Sequence, residues 1–161
     1  MTPEFSRAIQ IARIREGTHR VVEATAIERE AVAARLSLAA VRQLCCTFDL
    51  HPAGAGAVLA IGKLRARVTQ NCVVSLEPFE TDIAENFQVR FVPAGTETDD
   101  FDLDADDEIP YQGAALDLGE AAVEQLALAL EPFPRKPGAE LPEAQEEAAG
   151  PFAALARLRG Q

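Results

Sequence analysis

The sequence predicts an α+β fold, with an antiparallel, strongly curved or barrel-like β-sheet, two main helices and a short C-terminal helix. Apolar and polar residues alternate over two long stretches joined by a Pro- and Gly-containing turn, which is typical of hairpin strands with one buried face. Two sequences typical of helix N-termini each precede apolar residues at helical spacing. The length of 161 residues suits one domain with one hydrophobic core.

Composition divides the chain into three parts. Residues 1–136 are expected to form the single α+β domain, and the Pro, Gly, Ala and Glu of residues 137–150 predict a linker. Residues 151–161 are interpreted as a docking peptide, because a helix this short is ordered only when it packs on something. Phe152, Leu155 and Leu158 share one helical face, through which the peptide would contact the domain or a partner.

The N-terminal third predicts two strands and the first main helix. A short strand is expected within residues 5–14 and a second over 19–24. Thr25 and Glu28 then have the spacing of a capping box, in which side chain and backbone satisfy each other at a helix N-terminus. The helix should reach about Leu36 and bury Ile27, Ala31 and Leu36.

The clearest strand pattern lies in the next segment, where the predicted inward-facing residues are Leu44, Cys46, Phe48 and Leu50. A turn over 52–56 leads to a partner strand over 57–69 with Leu64, Ala66 and Val68 facing the core. Two further strands are predicted over 72–76 and 83–91. Connections this short exclude parallel crossovers, so the sheet should be antiparallel.

Acidic residues are concentrated between residues 76 and 131, where sixteen acidic residues face one basic residue, Arg90. Their densest part predicts a mobile acidic loop over about 94–110, because it repels itself and has few apolar residues. After it, Asp117 is expected to cap the second main helix, which should run to Leu130.

The sequence offers no recognisable catalytic constellation. The two histidines, His19 and His51, lie outside any pattern associated with a nucleophile or metal, and no glycine-rich loop has phosphate-binding context. Cys72 and Ser75 have the spacing of half a zinc knuckle without a second half, so no metal or cofactor is expected. A redox role for Cys45, Cys46 or Cys72 stays open.

Two charged features predict binding. Lys63, Arg65 and Arg67 alternate with apolar residues and so share one strand face, where Arg90, and equally Arg35 or Arg42, could extend them into a track for RNA phosphates. The opposite possibility is that the acidic loop attracts a basic protein. That alternative assigns partner contact to Asp99, Asp100, Asp102, Asp104, Asp106 and Asp107.

Charge and hydropathy narrow the class of protein. A formal net charge of −11 argues against a general nucleic-acid coat protein, which needs a surplus of Lys and Arg. The sequence has neither an apolar run long enough to span a membrane nor a start typical of a signal peptide. We therefore expect a cytoplasmic protein without membrane contact.

Several segments together resemble the YceD family, the large ribosomal RNA subunit accumulation proteins, particularly its shorter alphaproteobacterial members. The resemblance rests on residues 3–7, on 64–78, on Asp117-Leu118 followed by 124–134, and on the closing 151–158. Many members carry Cys-x-x-Cys where this chain has Cys72 and Ser75, so no metal site is carried over.

The resemblance implies a non-enzymatic role in large-subunit biogenesis and 23S ribosomal RNA accumulation. It implies contact with 23S ribosomal RNA or a large-subunit precursor. The alternative is that the acidic loop shields a small basic large-subunit ribosomal protein.

Overall fold

The computed structural model describes residues 2–98 and 105–140, which form seven strands and two α-helices. In chain order they are β1 (Ala8–Gln10), β2 (Thr18–Glu23), α1 (Ala26–Arg35), β3 (Ala40–Pro52), β4 (Val58–Asn71), β5 (Pro78–Pro93), β6 (Asp107–Tyr111), β7 (Ala115–Asp117) and α2 (Leu118–Ala129). A single 3₁₀ turn, Ile11–Arg13, follows β1. In this described part, neither α-helix is long and apolar enough to cross a membrane. The predicted α+β class is confirmed.

Five strands form one sheet in the order β2-β3-β4-β5-β6, and β1 pairs separately with β7. All pairs are antiparallel, as predicted, except β5–β6, which is parallel. A parallel pair needs a connection of a dozen or more residues, and the connection between β5 and β6, residues 94–106, has that length. No pairing joins β2 to β6 among the described strands, so closure towards a barrel stays a prediction.

The β3–β4 hairpin supplies the centre of the core, and its alternation is confirmed. The predicted inward-facing side chains Leu44, Cys46, Phe48, Leu50, Leu64, Ala66 and Val68 are all buried. Gly62 occupies a core-facing position opposite Phe87. A Cβ at Gly62 would lie 2.1 Å from Phe87 Cζ, so glycine there lets the Phe87 ring cross β4 and meet Phe48 edge to face at 5.8 Å between centroids.

The capping box of α1 is present as predicted. Thr25 N donates to Glu28 Oε2 at 2.8 Å and Glu28 N donates to Thr25 Oγ1 at 3.4 Å. The predicted buried face is wrong in detail, since Ile27 is 80% exposed and the fully buried residues are Val32 and Ala33. Docking of the helix on β3 fixes which face is covered, and the spacing of apolar residues alone does not.

Asp117 caps α2 and also fixes the N-terminal segment. Its carboxylate accepts from the backbone N–H groups of Gly119 and Glu120 and from Ser6 Oγ and Arg7 N. The segment before β1 therefore packs tightly on the start of α2, and a Cβ at Gly119 would lie 2.5 Å from the Phe5 carbonyl oxygen.

Three sequence-based boundaries need correction. Residues 72–76 form a turn and not a strand, with Cys72 N donating to Glu77 O and Leu76 in the left-handed region at φ 61°. The strand expected over 83–91 is longer at both ends, as β5 shows. The acidic loop predicted over 94–110 ends earlier, because its last residues pair with β5 as β6. The linker from residue 141 onward and the C-terminal peptide lie outside the described residues.

Candidate nucleic-acid interface

The basic row of β4 lies on the face of the sheet opposite the core. Lys63, Arg65 and Arg67 are exposed and alternate with three buried residues of the same strand. Each cation therefore points away from the hydrophobic core, and successive cations are about 7 Å apart along the strand. The predicted common face is present in the structure.

Arg67 is partly neutralised by its neighbour on β5. Its Nε donates to Asp82 Oδ1 at 2.7 Å, and Asp82 is its direct cross-strand partner. The hydrogen bond from Arg67 holds the pKa of Asp82 below its usual range. Both side chains are at least half exposed, so water screens the pair and weakens its contribution to stability.

Arg42 joins this end of the row through a β-bulge. The register shifts between Val41 and Gln43, which leaves Arg42 as the extra residue of β3. Its side chain is 61% exposed and reaches across β4 to Glu80, with Nε 3.5 Å from Oε1. The successive polar residues Arg42 and Gln43 interrupt the alternation of β3, which is the sequence signal for such a bulge.

The other two cations considered as extensions lie elsewhere. Arg35 binds Glu4 and Glu120 on the helical side of the molecule, so it does not contribute to this face. Arg90 is on the correct face but opposite Leu59, four residues along β4 from Lys63. It also lies beside Glu108 of β6, which offsets its charge.

Lys63 and Arg65 have no carboxylate directly across the sheet. Thr47 and Asn86 flank Lys63, while Cys45 and Ala84 flank Arg65. Within the described ranges neither cation takes part in an ion pair. These two side chains are therefore the part of the row that is available to an external anion.

Of the acidic loop, the structure describes only the residues on either side of 99–104. Asp106 accepts from Gln88 Nε2 at 2.8 Å, and Asp107 opens β6. Glu108 accepts from the backbone N–H and hydroxyl of Thr98, and the first of these bonds is the main reason that its pKa is lowered. The other predicted partner-binding aspartates, Asp99, Asp100, Asp102 and Asp104, lie outside the described residues, as do Phe152, Leu155 and Leu158.

The cysteines have contrasting surroundings. Burial raises the pKa of Cys46 to about 12, whereas the side chain and backbone of Ser75 lower that of Cys72 to about 6. Cys72 Sγ accepts from Ser75 N at 3.4 Å and Lys136 N at 3.3 Å, although the residue is shielded from solvent. No cluster of three or more His, Cys, Asp or Glu suited to a metal occurs in the part that the structure describes.

The two histidines take part in separate surface pairs. His19 Nδ1 lies 2.7 Å from Asp49 Oδ1, and His51 Nδ1 lies 2.5 Å from Glu16 Oε1. His19 lies directly across from Asp49 in the β2–β3 pair, whereas Glu16 lies in the loop before β2. These contacts tie the turn before β2 and the end of β3 together.

Comparison with known proteins identifies a family. The family model described as large ribosomal RNA subunit accumulation protein YceD matches residues 60–159, a span that begins inside β4 and includes the basic row. Searches of curated proteins and of solved structures find no match.

Proposed function

This chain belongs to the YceD family, the large ribosomal RNA subunit accumulation proteins, and we propose that it is a cytoplasmic, non-enzymatic assembly factor that touches ribosomal RNA itself. The proposed contact is with 23S ribosomal RNA or a large-subunit precursor. Family membership supports a role in the accumulation of that RNA. The proposal adds to this role the surface through which the protein contacts the RNA.

The observation that carries the proposal is the pair of available cations, Lys63 and Arg65, on the exposed face of the central strand β4. Arg65 offers a planar guanidinium that binds phosphate oxygens in pairs, and Lys63 adds a point charge. Among the described strands this outward face has no Phe or Tyr, so base stacking has no platform there. The contact we propose is therefore with the RNA backbone.

Backbone contact through a few cations fits the charge of the whole chain. The net charge of −11 repels RNA at a distance, so binding depends on a local surface. Because that surface has few cations, the affinity falls only moderately with salt, by a slope of about 0.7 to 0.9 for each phosphate contact.

The alternative is an acidic module that shields a small basic large-subunit ribosomal protein. It is favoured by the concentration of carboxylates around residues 97–108, where Glu97, Asp106 and Asp107 are exposed. Such a cluster would compete with RNA for a basic protein.

Charge reversal distinguishes the two functions. Full-length protein carrying Lys63→Glu and Arg65→Glu is compared with a control carrying Arg13→Glu and Arg20→Glu, which makes the same change of charge at exposed positions off the row. A third variant replaces the six aspartates between 99 and 107 by asparagine. Each is cross-linked in cells, and the attached RNA and proteins are identified.

RNA contact predicts that large-subunit RNA is lost from the first variant and retained by the control. Shielding predicts that a basic ribosomal protein is lost from the third variant, while the first behaves as wild type. Equal RNA recovery from all variants would exclude the basic row as the contact surface.

A further inference from the structure

The core-facing side of β5 is left half covered along its first part. Phe79, Thr81, Ile83 and Phe87 share the side of the sheet that carries the core, because their register partners on β4 face inward. On β4 and β3 the inward residues are fully buried, but these four are only half-buried. A strip of core-type surface is therefore exposed.

A groove runs along this strip. It has a volume of about 380 Å³ and lies between β5 and the segment that follows α2. Its apolar lining includes Phe79, Ile83, Ala129 and Pro134. One cation, Arg135, and three carboxylates, Asp82, Glu85 and Glu131, also line the groove. Asp82 is paired with Arg67, so Glu85 and Glu131 make the exposed rim acidic.

The far edge of β5 is also uncovered over this stretch. In the described part, β6 pairs with β5 only from Val89 onward, so the strand before Val89 has one neighbour, β4. The groove is thus open on the side away from the hairpin, and a short helix can enter it without displacing a strand.

The chain itself contains a segment of matching chemistry. If residues 151–159 are helical, Phe152, Leu155 and Leu158 share one face at a spacing of three, and Arg159 continues that face at its C-terminal end. An apolar stripe that ends in an arginine complements an apolar floor with an acidic rim.

The segment is also within reach. The chain passes the groove at Pro134 and Arg135, and the described part ends five residues later at Glu140. The ten residues 141–150 span at most about 36 Å when extended. A tether of that length gives a millimolar local concentration, so even a weak helix–groove contact is populated.

We propose that residues 151–159 dock as a helix in this groove of their own chain, with the three apolar side chains over Phe79 and Ile83 and with Arg159 towards the carboxylates Glu85 and Glu131. The docked peptide would complete the core-facing side of β5. The proposal concerns the isolated protein and does not depend on the RNA contact.

The test uses fluorescence, because the chain has no Trp. Full-length Phe152→Trp protein carries a single reporter, and the unbound reference is the same protein with Leu155→Asp and Leu158→Asp. Docking predicts emission at shorter wavelength and an acrylamide quenching constant at least about twofold lower than the reference. Both should stay unchanged on dilution by about a hundredfold, as expected for contact within one chain.

Two groove variants locate the contact. Ile83→Asp changes the floor, while Glu85→Lys with Glu131→Lys reverses the rim at exposed positions and does not threaten the fold. Each should raise the quenching constant towards the reference. Val21→Asp, which alters a residue 59% exposed on the opposite face, is the control and should change nothing.

Three results would overturn the proposal. Quenching equal to that of the reference would show an undocked peptide. A low quenching constant that rises on dilution would assign the peptide to a second copy. A low quenching constant that persists in the rim variant, with unchanged circular dichroism, would place the peptide on another surface. RNA is absent throughout, so these outcomes are separate from a failure of the proposed function.

Discussion

Arg67 donates to Asp82 across the β4–β5 pair, with Nε 2.7 Å from Oδ1, so one cation of the basic row already has an intramolecular carboxylate partner. An incoming phosphate must compete with this carboxylate for the guanidinium. Among the described ion pairs, Lys63 and Arg65 have no such carboxylate to displace.

Replacing Asp82 by alanine should therefore strengthen RNA binding. The freed Arg67 adds one phosphate contact, so the plot of log K against log salt becomes steeper by about 0.7 to 0.9. Glu85→Ala removes the same charge from the core-facing side and is the control. Filter binding at several salt concentrations measures both. An unchanged slope in Asp82→Ala would mean that RNA does not reach this end of the row.

Gly119→Ala should destabilise the fold more than Gly62→Ala. The new methyl group at 119 meets the Phe5 backbone carbonyl at 2.5 Å, which moves only if the N-terminal segment leaves α2. At 62 the obstacle is the Phe87 ring, which can rotate outward from its half-buried site. We expect a loss of about 1–3 kcal/mol or more for Gly119→Ala in urea unfolding. A larger loss for Gly62→Ala would contradict this order.

Glu28 should stabilise the protein less in acid. The hydrogen bond from Arg7 is the main cause that lowers the pKa of Glu28 from its ordinary 4.5 to about 2. A lowered carboxyl pKa gives stability that is complete above 4.5 and is lost as pH falls towards 2. Glu28→Gln should cost about 1–2 kcal/mol near neutral pH, and the difference from wild type should shrink over that range. Urea titrations at several pH values measure it. A difference that does not vary with pH would contradict the assignment.

Cys72 should titrate near neutral pH in the folded protein. The side chain and backbone N–H of Ser75 lower its pKa to about 6 from 9.0, so folding is favoured progressively as pH rises between these values. Absorbance at 240 nm should show one thiolate forming near pH 6, and Cys72→Ser should abolish it. Cys45→Ser is the control, because burial raises the pKa of Cys45. A first thiolate step that survives in Cys72→Ser would assign it to another cysteine.

The sequence predicted what local patterns determine. The alternation in β3 and β4 follows from having one face of each strand buried, which each strand's own sequence records. The capping box joins Thr25 and Glu28, which are three residues apart in the sequence. The turn at 72–76 was missed because its Val-Val pair favours strand, while its geometry depends on backbone contacts with Pro134 and Lys136, far along the chain. The basic row could be predicted because its residues alternate with the buried residues of β4. The pairing of Arg67 with Asp82 could not, because it depends on the register between β4 and β5, which the sequence of one strand does not contain.

The contacts between the N-terminal segment and the start of α2 have a consequence for the order of folding during synthesis. Ser6 and Arg7 bind Asp117, and β1 pairs with β7. The first strand therefore cannot pair until the ribosome has added more than a hundred further residues. The β3–β4 hairpin needs only a five-residue connection and can form early. Closing the longer loop carries a higher entropic cost, so joining of the N-terminal segment to α2 is expected to be a late folding step. Phe5 and Ile9 are buried in the folded domain, so we expect their apolar side chains to stay exposed on the nascent chain until that step.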